Sequence, residues 1–158
     1  MSQILQNQSL EMKNVLSLRG KYTHIEFNKE LNKIDELLKR KNIEKAGPKV
    51  TAIHSFEMCD ELQFMDIEVL IPLEKYEKFD RPYSIKPLFR LTNALRIEHV
   101  GDSSFTQNTA EKLNEFIKNE NLTPITTAYN VIMNEPKTYQ DADTLVAYIY
   151  VGLSPNSL

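Results

Sequence analysis

A carboxylate and a phenol stand at matching places in two alternating apolar segments. In residues 64–71, Ile67, Val69 and Ile71 fall on one face of a strand, and Asp66, Glu68 and Leu70 fall on the other. In residues 145–151, Ala147, Ile149 and Val151 share one face, and Val146, Tyr148 and Tyr150 share the other. Tyr148 follows Glu68 by 148 − 68 = 80 positions, the step that also separates Pro72 from Gly152 at the strand ends. Two chemistries suit the pair. A carboxylate among aromatic rings attracts lipophilic cations, since the charge supplies long-range pull and the ring faces add cation–π attraction and apolar area. A carboxylate and a phenol can also act as a base for water and an acid for a leaving group. Wall residues for such a pocket are Glu68, Tyr148, Tyr150, Tyr129, His54, Phe56, Leu70 and Met133. The competing reading is a wet sheet face with a solvated Glu68. Asp66 on the same face favours it, whereas two tyrosines at alternate positions favour the pocket. His54 also reads as a structural or exposed histidine, and Tyr129 as core.

The elements that must position these groups occur twice. Leu31, Ile34, Leu37 and Leu38 form an apolar stripe at helical spacing in residues 28–41. Ala110, Leu113, Phe116 and Ile117 repeat it in residues 108–119, each mate 79 positions on (113 − 34 = 79). A strand-like run and a glycine precede each stripe (15–18 then Gly20; 95–100 then Gly101), and a proline-led strand follows (48–56; 124–133). Helix one is expected from Asn28 or Lys29 to Lys41 with Asn28 as N-cap, and helix two from Gln107 to Asn119 with Thr106 or Asn108 as cap. Residues 58–62 read as a hairpin loop, 72–87 as a proline-containing connector, 134–143 as a turn-rich loop and 154–158 as a mobile tail. We expect one domain over 1–158, with repeat one at about 12–73, a connector at 74–88 and repeat two at about 89–153. The order β–α–β–β, repeated, predicts an α+β fold. Its antiparallel sheet would carry two helices on one face and a ligand cleft between pseudo-symmetric halves on the other.

Composition narrows the function classes. With 158 residues, 41% apolar and 26% charged, the chain can bury a core as an ordinary globular protein. No apolar run reaches membrane-spanning length, so no membrane role is expected. The polar start, with Gln3, Gln6, Asn7 and Gln8, lacks a secretory pattern and predicts a cytoplasmic location. A net charge of −3 with scattered basic groups argues against direct nucleic-acid binding. Lys39, Arg40 and Lys41 do cluster, but at a helix C-terminus, where cations suit the macrodipole. The single Cys59 excludes an intrachain disulfide and a multi-cysteine metal site. His24, His54 and His99 lack metal-ligand spacing, so neither a metal nor a cofactor is expected. No nucleophile elbow, phosphate loop or dinucleotide turn occurs.

The repeated plan, the run Ile67-Glu68-Val69-Leu70-Ile71-Pro72, its partner Tyr148-Ile149-Tyr150-Val151-Gly152 and the lead-in 94–101 resemble the GyrI-like small-molecule-binding domains. These also serve as effector domains of AraC-type and MerR-type multidrug regulators. The resemblance covers residues 12 to 153. It implies two β–α–β–β modules with a cleft for hydrophobic, often cationic aromatic molecules. Family members carry a glutamate four residues before the strand-ending proline of the second copy. Here Tyr148 and Gly152 stand there, and the glutamate survives only in the first copy as Glu68. Gly101-Asp102-Ser103-Ser104-Phe105 replaces the usual glycine, aromatic and acid before the helix. Some stand-alone relatives hydrolyse electrophilic toxins with a pocket glutamate and tyrosine. The expectation is a stand-alone, non-enzymatic binding module without a DNA-binding domain. Hydrolysis by Glu68 and Tyr148, or a protein-interaction (inhibitor) role with a protein partner, are the alternatives.

Overall fold

Each repeat builds a strand, a helix and a hairpin of two further strands. They are β1 (Leu5–Tyr22), α1 (His24–Lys41), β2 (Val50–Cys59) and β3 (Leu62–Pro72), then β4 (Ser84–Gly101), α2 (Thr106–Asn119), β5 (Tyr129–Asn134) and β6 (Leu145–Gly152). The computed structural model describes residues 3–102, 105–134 and 145–155. The chain divides into two compact units, residues 12–89 and residues 1–11 with 90–158, so β1 and β4 each contribute to both. In the first unit β3 runs antiparallel to β1 and β2. In the second, β6 runs antiparallel to β4 and β5. Six antiparallel strands and two helices make the α+β class that the repeated pattern predicts. Among the described residues, no helix is long and apolar enough to cross a membrane.

The alternation of β3 decides what α1 covers. Met65, Ile67, Val69 and Ile71 pack with Leu16 and Leu18 of β1 and with Phe27, Ile34 and Leu38 of α1. In the other unit, Ile149 and Val151 pack with Leu95 and Ile97 of β4 and with Leu113 and Ile117 of α2. The two cores correspond position by position: Leu16 to Leu95, Leu18 to Ile97, Ile34 to Leu113 and Leu38 to Ile117 at a step of 79, then Val69 to Ile149 and Ile71 to Val151 at a step of 80. Full burial of one such side chain stabilises the fold by about 1.5–3 kcal/mol, so these pairs fix which strand face is left over for function.

Backbone details recur at the same steps. Asn42 (φ 56°) and Asn121 (φ 55°) take the left-handed conformation just past α1 and α2, where asparagine is tolerated. The next residues then bond back across the last turn, Ile43 N to Leu38 O at 3.0 Å and Leu122 N to Ile117 O at 2.9 Å. Asn14 (φ 54°) and Asn93 (φ 51°) repeat likewise, and their carbonyls accept from Leu73 N at 2.9 Å and Leu153 N at 3.2 Å.

Where the repeats differ, small and large residues trade places. A Cβ on Gly20 would lie 2.8 Å from the Tyr22 ring, whereas the mates are His99 and an uncrowded Gly101. Tyr22 and Phe27 form a tilted aromatic pair at 6.3 Å in the first unit. In the second, buried His99 occupies that region, with Nδ1 2.7 Å from Thr109 Oγ1 and Nε2 2.9 Å from the Asp102 carbonyl. A Cβ on Gly47 would lie 3.3 Å from Pro72 Cγ, and the mates are Thr126 and Gly152. The Gly152 N–H, which Pro72 lacks, donates to Thr126 Oγ1 at 2.9 Å.

Several boundaries differ from expectation. The N-cap of α1 is Thr23 rather than Asn28. Its hydroxyl accepts from Glu26 N at 3.2 Å and its N–H donates to Glu26 Oε1 at 2.9 Å, a reciprocal capping box. Neither Thr106 nor Asn108 caps α2: the cap position is Phe105, with no side-chain bond. β1 begins at Leu5, and β4 at Ser84 takes up the end of the expected connector. The hairpin loop of 58–62 shrinks to Asp60 and Glu61, both at positive φ (49° and 66°), which lets the strands continue to the turn. β5 starts at Tyr129, and Pro124 makes only an isolated bridge to Leu153. Most of the expected 134–143 loop and the end of the expected tail lie outside the described residues.

Candidate functional site

Glu68 projects from the face of β3 that α1 leaves uncovered, because Ile67 and Val69 on either side face the helix. It is 8% exposed, a burial that a carboxylate tolerates only with partners. Ser17 Oγ donates to its Oε2 at 3.2 Å, and Lys86 Nζ lies 3.3 Å from the same oxygen. His54 Nε2 lies 3.4 Å from Oε1. Leu70, on the same face, is fully buried. Beside them Arg19 grips Asp66 through two bonds of 3.1 and 3.0 Å. That hydrogen-bonding guanidinium holds the Asp66 carboxyl below its ordinary range.

His54 reaches Glu68 because β2 is irregular there. Ala52 pairs with Glu68 and Ile53 with Ile67, but Ser55 already pairs with Asp66, so His54 is an extra residue in a bulge. The bulge moves every later residue of β2 to the other face. Phe56 therefore pairs with Met65, on the helix side, and stands 54% exposed. Its expected place with His54 on the wall beside Glu68 is corrected: the inserted residue reverses the alternation on which that placement rests.

The second unit has the same bulge. Val131 pairs with Tyr148 and Ile132 with Ala147, then Asn134 pairs with Val146, leaving Met133, the mate of His54, as the extra residue. Met133 is 46% exposed. Tyr129 pairs with Tyr150 on the face of Tyr148, and Tyr150 is buried at 7%. Opposite them on β4, Arg96 pairs with Tyr150 and Glu98 with Tyr148. Arg96 lays its guanidinium over the Tyr148 ring, 4.5 Å from the centroid. A cavity of about 510 Å³ opens there, lined by Gln3, Leu5, Arg96, Glu98, Val100, Lys112 and Tyr148.

Arg96 is the mate of Ser17 (96 − 17 = 79), as Tyr148 is of Glu68. A hydroxyl on a carboxylate in one repeat becomes a guanidinium on a phenol ring in the other. Arg96, Lys86 and Ser17 did not stand out as site residues in the sequence. The signal was there in the 79-residue step, which sets β4 against β1. Among the described residues, no cluster of three or more His, Cys, Asp or Glu could hold a metal ion.

No protein-family model matches the chain, and no curated protein matches it by sequence. Solved structures match it by fold. The C-terminal domain of EcmrR aligns at TM-score 0.73 with 14% identity over 98% of this chain and 97% of that one. EcmrR in a complex with DNA aligns at TM-score 0.75 with 15% identity, where the chain spans 57% of that protein. A hydrolase from Listeria innocua aligns at 0.59 with 14% identity over 97% of this chain and 91% of that one. SAV2435 bound to tetraphenylphosphonium aligns at 0.50 with 10% identity over 98% and 94%. The resemblance to GyrI-like domains thus holds at the level of the fold.

Proposed function

We propose that the chain is an effector-binding module of the kind found in transcription regulators, holding an aromatic small molecule without converting it. The observation that carries this reading is the cavity at Tyr148. It is an open, mainly polar depression of about 510 Å³, at which a ring, apolar Leu5 and Val100, and a few charged groups converge. The fold shared with the C-terminal domain of EcmrR and with a tetraphenylphosphonium-bound protein supports the class. Tyr148 supplies the ring surface, with Tyr150 and Tyr129 supporting it on the same strand face. Glu68 serves a cationic ligand group only where that group replaces Lys86 on its carboxylate.

Titration with naphthalene-2-carboxamide, followed by calorimetry, tests the reading. Saturable one-to-one binding that Tyr148→Ala abolishes, with its circular dichroism unchanged, is expected; a wild type that stays unsaturated at millimolar ligand refutes it. Hydrolysis of an electrophile is the second reading, favoured by the fold shared with the Listeria innocua hydrolase. Turnover of an epoxide that disappears in Tyr148→Phe, with its circular dichroism unchanged, would establish it instead.

A further inference from the structure

Resting on the binding reading, we propose that the ligand is an aromatic carboxylate and that Arg96 is the residue that selects it. The charge at the equivalent site has been inverted between the repeats. Where the first repeat sets Ser17 on the carboxylate of Glu68, the second sets Arg96 on the ring of Tyr148. A cationic ligand approaching that ring meets a cation already seated on it. Among the described residues Arg96 has neither a hydrogen bond nor an ion pair. Its stacked, planar guanidinium keeps its N–H edge free for the two parallel bonds that a carboxylate accepts.

The rest of the lining agrees. Lys112 adds a second positive charge to the cavity. Glu98 opposes them, but it and Lys112 are both exposed and their fields are screened by water, whereas Arg96 is half-buried. Leu5 and the 61%-exposed Val100 offer apolar surface for the ring system. One carboxylate therefore finds a net positive lining with a fork to hold it. A ligand carrying only an ammonium group finds one exposed acid.

Three matched probes separate this inference from the reading beneath it. They are naphthalene-2-carboxylate, naphthalene-2-carboxamide and (naphthalen-2-yl)methylammonium, titrated calorimetrically into the full chain at pH 7 and low salt. The expected order of affinity is carboxylate, amide, ammonium, with the carboxylate ahead of the amide by about tenfold or more, as charge-assisted hydrogen bonds allow. Arg96→Gln should remove the carboxylate's lead over the amide, read as the ratio of the two affinities within that variant. Arg96→Lys, which keeps the charge and loses the fork, should retain part of the preference and guards against a folding defect in the first variant. If the ammonium binds best, or the carboxylate preference survives Arg96→Gln, the inference is overturned while amide binding keeps the module reading. If no probe binds, both fall.

Discussion

Exchanging one repeat's packing solution for the other's gives a sharp test of the duplication. Gly152→Pro should remove the 2.9 Å bond from Gly152 N to Thr126 Oγ1, a loss of about 1 kcal/mol. It should also press new atoms on Thr126, whose Cγ2 and Oγ1 lie 3.1 and 3.4 Å from where a Cβ would stand, adding about 1–2 kcal/mol of overpacking. Thr126→Gly alone should cost about 2 kcal/mol, through the same bond and the freedom of the new glycine. The double variant reproduces the Gly47–Pro72 arrangement, in which the glycine Cβ position stands 3.3 Å from Pro72 Cγ. The bond can be lost only once and the clash with Thr126 is gone, so the double should be more stable than the summed singles by about 2 kcal/mol. The 2.7 Å approach to Leu91 Cδ1 is common to both proline variants and cancels. Urea unfolding of the four proteins measures the cycle. Additivity within about 0.5 kcal/mol would refute the claim that these pairs are alternative solutions to one packing problem.

Two further outcomes follow from the first unit. Lys86→Met should raise affinity for tetraphenylphosphonium several-fold if Glu68 can serve a cation, because the resident ammonium 3.3 Å away is gone; calorimetry that finds no change removes Glu68 from the ligand's reach. Arg19 depresses the folded-state titration of Asp66, so the associated stability is present above the unfolded value of about 4 and is lost as pH falls below it through the folded value. Both partners reach solvent, which makes the effect small. Asp66→Asn should flatten the acid limb of stability measured by urea unfolding from pH 5 to 2, and an unchanged limb would contradict the assignment.

What the sequence revealed and what it hid divide along physical lines. The stripes of α1 and α2 were legible because an apolar face at helical spacing seldom arises outside a helix, and the mates align at 79 residues throughout. α1 starts earlier than expected because Asn28 only resembles a cap, while Thr23 and Glu26 carry the true one and Phe27 extends the stripe a turn earlier. β1 extends beyond its apolar run because its first residues are polar and mostly exposed, as an outward-facing strand permits. Phe56 departs from its expected face because an inserted backbone residue at His54 leaves no compositional trace. Tyr148 was visible as the oddity at a constant repeat step. Arg96 was not, since the contact of a long side chain with a ring depends on register between strands far apart in the chain, a separation at which alternation alone gives no pairing.

The central claim is that Tyr148 and the residues around it seat an aromatic ligand. Amide chemical shifts recorded during saturation with naphthalene-2-carboxamide test it most directly. The account predicts that the largest changes fall on Leu5, Arg96, Val100 and Tyr148 and disappear in Tyr148→Ala. Changes centred elsewhere on the chain, or undiminished in that variant, would contradict it.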